Sequence, residues 1–103
     1  MSKIINKDRN YILLNSDNEV SKSDINNFYK LIKQRSSGNP VSYLTNKKFF
    51  WNSNFFVTND TLIPRPDTEL IIENVLTLTK QKNKLNILDI GVGSGCILLS
   101  ILK

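Results

Sequence analysis

Three glycines at alternate positions, in Asp89-Ile90-Gly91-Val92-Gly93-Ser94-Gly95, constrain this chain more than any other feature. They follow a short apolar run, Leu85-Asn86-Ile87-Leu88-Asp89-Ile90, of the kind found in a buried parallel strand, and they lead into a helical pattern over 97–103. Strand, glycine turn and helix form the first crossover of a nucleotide-binding α/β fold. Glycine lets the backbone turn tightly and approach a ligand closely, with a helix N-terminus behind it. Single residues exclude two similar loops. The dinucleotide fingerprint G-x-G-x-x-G needs glycine where Cys96 stands, and a phosphate-binding P-loop needs Lys-Ser/Thr where Cys96-Ile97 follow. What remains is an acidic residue, Asp89, two positions before G-x-G-x-G. Cys96 itself reads as a small buried residue at a helix start rather than a reactive thiol.

Upstream, local chemistry divides the chain. Residues 4–14 hold two apolar clusters, Ile4-Ile5 and Tyr11-Ile12-Leu13-Leu14, compatible with a short strand or the end of a helix. The pattern predicts a helix over 21–37, capped by Ser21 or Ser23, with Asp24 in its first turn and an apolar stripe of Ile25, Phe28, Tyr29 and Ile32. Gly38 suits the position just past its end, and Pro40 prevents continuation. Phe49-Phe50-Trp51 and Phe55-Phe56-Val57-Thr58 flank the turn-forming Asn52-Ser53-Asn54, which predicts a β-hairpin whose aromatics bury one face. A second helix begins within 64–69, with Pro66 in its first turn and Ile71, Val75 and Leu78 facing inward. A lysine-rich connection over 79–84 follows.

Composition narrows the function classes. The 103 residues contain no apolar run near the ~20 residues of a membrane span, and no secretory signal pattern opens the chain. One cysteine forms no intramolecular disulfide, which suits a reducing cytoplasm, and with no histidine a zinc site is not expected. The net charge of +5 has a simple source: Asn, Ile and Lys supply 37 residues and alanine is absent, the usage of an AT-rich genome. The lysines are dispersed, so nucleic acid is not expected as a direct partner.

The acidic residue followed by G-x-G-x-G resembles motif I of class I methyltransferases. A second segment is more distinctive. Leu62-Ile63-Pro64-Arg65-Pro66-Asp67-Thr68-Glu69, with Asn39-Pro40-Val41-Ser42-Tyr43-Leu44 and Phe50-Trp51, resembles the family that methylates the glutamine N5 of peptide chain release factors (PrmC/HemK-like). The resemblance runs from about residue 13 onward. It implies S-adenosylmethionine as cofactor, contacted by Asp89, Gly91, Val92, Gly93, Ser94 and Gly95, and places Arg65, Pro66, Thr68 and Glu69 near the substrate cleft. Simpler roles for the latter set are helix capping and, for Arg65, an ion pair with an acidic neighbour. Two residues depart from the pattern: Asn46 stands at a usual glycine and Val92 at a common threonine.

The family's Asn-Pro-Pro-Tyr, which positions the substrate amide, does not occur in the 103 residues. The expected architecture is therefore an α/β fragment truncated at both ends. Residues 1–48 would be the remnant of a helical substrate-binding domain, 49–63 a hairpin linker, and 64–103 the incomplete start of a Rossmann-like methyltransferase domain. Such a piece is expected to be inactive alone, with release factors as partners and a second chain supplying the missing part. Alternatives are a non-enzymatic module binding release factor or ribosomal components, and a fragment of a nucleic-acid amino-methyltransferase.

Overall fold

The computed structural model describes residues 1–82 and 84–103; Asn83, within the lysine-rich connection, lies outside the described residues. The chain forms two compact units, Met1–Thr45 and Asn46–Lys103. No helix among the described residues is long and apolar enough to cross a membrane.

The first unit is helical: α1 (Ser2–Ile5), α2 (Arg9–Leu14), α3 (Lys22–Ser36) and α4 (Val41–Thr45). Both apolar clusters of residues 4–14 are thus helical, and Asp8 caps α2 by accepting the Tyr11 N–H at 2.7 Å. Ser21 caps α3 by accepting from Asp24 N–H, and Gly38 (φ 95°) follows the helix in the left-handed region. Pro40, beyond the end of α3, starts α4, because its carbonyl accepts from Tyr43 and Leu44. The predicted stripe of α3 is split. Phe28, with Leu31, is half-buried, whereas Ile25, Tyr29 and Ile32 are exposed. Its main packing is on the short helices α1 and α4. Lys3 Nζ donates to the Leu44 carbonyl at 2.9 Å, tying α1 to α4. No residue of this unit is fully buried.

The second unit holds the core. β1 (Lys48–Phe50) pairs antiparallel with β2 (Ser53–Phe55), matching Lys48 to Phe55, Phe49 to Asn54 and Phe50 to Ser53. The turn is therefore Trp51-Asn52, one residue earlier than the Asn52-Ser53-Asn54 triplet suggested. Alternation sends Phe50 and Phe55 inward, where their rings meet edge to face at 6.1 Å, and leaves Phe49 and Phe56 exposed. A 3₁₀ turn (Pro66–Thr68) with Pro66 in its first position opens α5 (Glu69–Thr79), and α6 (Cys96–Ile101) packs against α5. Phe50, Phe55, Ile72 and Cys96 make the buried cluster, flanked by Trp51, Ile97 and Ile101. The inward side of α5 is Ile72, Val75 and Thr79 rather than Ile71, Val75 and Leu78. Six of its eleven residues are apolar and spread around the helix, so periodicity alone does not fix which face turns inward.

The expected strand over 85–90 does not form. The sheet among the described residues is the β1–β2 pair, and Leu88 and Ile90 are 84% and 88% exposed. A parallel strand exists only within a ladder, and no described segment offers this run a neighbouring edge. The structure is thus a mixed helix and two-stranded arrangement, and the described residues alone do not form a Rossmann-like sheet.

Asn46 follows α4 at φ 54°, and its side-chain amide donates to the Val57 carbonyl at 3.3 Å. The left-handed conformation explains the departure noted above. Asparagine is the residue after glycine that best tolerates it, so the exchange costs the fold little.

Candidate functional site

Two stretches hold the predicted site residues, and each is built locally. In the glycine loop all three glycines have positive φ: 84° at Gly91, 56° at Gly93 and 75° at Gly95. Gly95 N–H donates to the Val92 carbonyl at 2.8 Å, closing the turn, and Gly95 then caps α6 by accepting from Leu99 N–H. A Cβ at Gly95 would also sit 3.2 Å from Leu99 Cδ1, so both backbone conformation and packing require glycine there. Gly91 and Gly93 differ. They are exposed; a Cβ at Gly91 would meet nothing within 4 Å, and one at Gly93 would make an ordinary contact with the Gly91 carbonyl oxygen at 3.8 Å. Val92 is exposed too, and Ser94 is half-buried.

Asp89 lies at the root of this loop. Its Oδ2 is enclosed by protein yet has no hydrogen-bond partner among the described residues. A buried acceptor left unpaired costs about 1–3 kcal/mol, so such an atom marks a place where a donor belongs. Cys96 is buried in the core cluster, as its position after the last glycine suggested.

The second stretch, Pro64 to Glu69, meets the hairpin rather than the loop. Trp51, in the hairpin turn, adopts φ 54°, a conformation unusual for a bulky side chain. Its N–H donates to Glu69 Oε1 at 2.8 Å, across 18 residues of sequence. The carboxylate thereby holds the strained turn against the start of α5. Arg65 is exposed and forms no ion pair among the described residues, so the expected pairing with an acidic neighbour is not seen. Pro66 supplies the first position of the 3₁₀ turn, and Thr68 is half-buried without a side-chain capping bond. No hydrogen bond joins this stretch to the loop among the described residues. The loop is linked to the same core instead through α6, which packs on α5.

Sequence reasoning missed the Trp51–Glu69 bond. The Phe50-Trp51 and Thr68-Glu69 pairs stand in the sequence, but nothing there tells that a backbone N–H faces that carboxylate. It also missed a cleft of about 330 Å³ in the first unit, where Tyr11, Ile12 and Val20 meet Glu19 and Asp24. Lys7 Nζ lies 5.0 Å from the centre of the Tyr11 ring beside it.

Comparison with known proteins places both units. Residues 1–45 match the family model described as the PrmC N-terminal domain. The chain is 39% identical over 101 residues to a release factor glutamine methyltransferase of Buchnera aphidicola from Schizaphis graminum, which covers 98% of the chain and 36% of that protein. Proteins of the same name from Mycoplasma mycoides and Clostridium acetobutylicum are 37% and 35% identical over 97% and 100% of the chain, again 36% of each relative. The chain therefore spans about a third of the length of the curated relatives it matches.

Proposed function

The chain belongs in sequence to the family of release factor glutamine methyltransferases, and from that premise we propose that it supplies two working parts of such an enzyme. The first unit contributes to recognition of the release factor. The glycine loop is half of an S-adenosylmethionine site in a reaction that methylates the glutamine N5 of Gly-Gly-Gln. The observation that carries this reading is the loop itself. Gly91 and Gly93 leave open space in front of a left-handed backbone, and behind them Asp89 Oδ2 stands enclosed without a donor. The amino-acid end of S-adenosylmethionine brings an ammonium group, a donor that suits the Asp89 carboxylate if the loop parts to admit it, since Oδ2 is closed off from solvent as it stands. The open side of the loop and the carboxylate at its root support that reading.

Asp89, Gly91, Val92, Gly93, Ser94 and Gly95 would hold that end of the cofactor, which when bound supplies an electrophilic methyl group. The chain's own residues bind and orient. Gly95 fixes the loop on α6, Asp89 would accept a hydrogen bond from the bound cofactor, and the glycines would keep side chains out of its path. Arg65, Pro66 and Thr68 would border the substrate cleft, while Glu69 secures the adjoining hairpin. Residues 85–90 would become a strand once neighbouring strands give them a ladder, completing a Rossmann-like sheet. Lacking the Asn-Pro-Pro-Tyr element, the 103 residues alone would not transfer a methyl group. The setting is cytoplasmic, where release factors act.

The cofactor assignment is tested in a chimera in which this chain replaces the corresponding third of the Clostridium acetobutylicum relative. Calorimetry should show S-adenosylmethionine binding. Gly93→Val, which places a β-branched side chain at φ 56° in the open space, should weaken it by about 100-fold or more. Unchanged binding by the folded variant would remove the loop from the cofactor site.

A further inference from the structure

The outward side of α3 carries groups that the first unit leaves unused. The helix packs on α1 and α4 with Phe28 and Leu31 half-buried. Its one carboxylate, Asp24, is also half-buried and engaged by the Ser21 hydroxyl at 2.8 Å. Ile25, Tyr29 and Ile32, spaced four and three residues apart, form an exposed apolar stripe, with Tyr29 66% exposed. Lys22 and Lys33 lie one or two turns from Tyr29 on the same side, and Lys30 adjoins Lys33; all three are exposed. Lys30, Lys33, Gln34, Ser37 and Asn39 line a shallow groove of about 370 Å³ with no acidic residue in its wall. An apolar stripe thus runs beside a basic groove.

We propose that this face of α3 docks a partner-protein segment that presents apolar side chains next to carboxylates, the apolar groups covering Ile25, Tyr29 and Ile32 and the carboxylates entering the lysine groove. A second copy of the chain does not suit the face. Two-fold pairing would set the same lysines against each other in a chain already carrying a net charge of +5. The proposal rests on the reading given under the proposed function, which makes the release factor the occupant.

The test uses the full 103-residue chain and a purified release factor carrying Gly-Gly-Gln, with binding followed by calorimetry at low and moderate salt. The unaltered chain should bind, and more weakly as salt rises. Lys30→Glu/Lys33→Glu should weaken binding by about tenfold and lose most of that salt dependence. Tyr29→Ser should weaken it by a similar factor without changing the salt dependence. Helical circular dichroism verifies folding, and Lys30→Gln/Lys33→Gln serves if charge reversal disturbs the helix. Binding by the unaltered chain that neither change affects would overturn the α3 surface and leave the family reading intact. No binding by the unaltered chain would remove the release factor as partner and the α3 proposal with it. Self-association in sedimentation that these substitutions alter, with release-factor binding unmoved, would assign the face to a second copy and overturn the proposal.

Discussion

Phe50→Ala is expected to destabilise residues 46–103 by about 3–5 kcal/mol, the cost of removing a large aromatic side chain from a core that cannot fully collapse. Phe50 is fully buried, meets Phe55 edge to face, and belongs to the cluster that joins the hairpin to α5 and α6. Few other residues of this unit are fully buried, so the loss is large against the total stability of a small fold. The adjacent Phe49 is an internal control. It points to the opposite face of the hairpin and is exposed, so Phe49→Ala should change stability by less than about 0.5 kcal/mol. Urea denaturation of both variants measures the difference. Because a one-residue shift of register exchanges the two faces of a strand, equal effects, or a larger one at Phe49, would show that the pairing of β1 with β2 is wrong.

Glu69→Ala should cost about 1.5–3 kcal/mol, the range for a hydrogen bond to a charged group whose partner is left partly buried. The partner is the Trp51 N–H, 2.8 Å away in the half-buried turn. Trp51 is the single tryptophan, so its fluorescence reports on that turn directly. Loss of the carboxylate should release the strained φ of 54° and shift the emission to the red. Glu69→Gln keeps an acceptor oxygen and should show a smaller change in both readouts. An unchanged spectrum and denaturation midpoint for Glu69→Ala would mean that the carboxylate does not hold the hairpin.

What could be read in the sequence was chemistry that acts within a few residues. Ser21 caps α3 because a hydroxyl is at hand for the Asp24 N–H, and Gly38 follows because the chain there turns left-handed. Pro66 opens the 3₁₀ turn for the same kind of local reason. The loop glycines were legible as residues that let the backbone turn tightly, and all three adopt positive φ. Properties that depend on what lies opposite were not legible. α5 is apolar on several sides, and packing against the hairpin and α6 selects Ile72 over Ile71. α3 carries more apolar surface than α1 and α4 can cover. Residues 85–90 have the composition of a buried strand, but a strand is a relation between two segments, and its edge is not met here. At the site, the glycines and Asp89 could be named from spacing, whereas the role of Glu69 required the direction of a backbone N–H 18 positions away.

Methyl transfer bears directly on the proposal that this chain contributes a part of a release factor glutamine methyltransferase. Purified chain is incubated with labelled S-adenosylmethionine and a release factor carrying Gly-Gly-Gln, alone and in the chimera completed by the remaining two thirds of the Clostridium acetobutylicum relative. No label is expected from the 103 residues alone, and label on the glutamine is expected from the chimera. Robust transfer by the 103 residues alone, or a folded chimera that binds cofactor and release factor yet leaves that glutamine unmodified, would contradict the proposal.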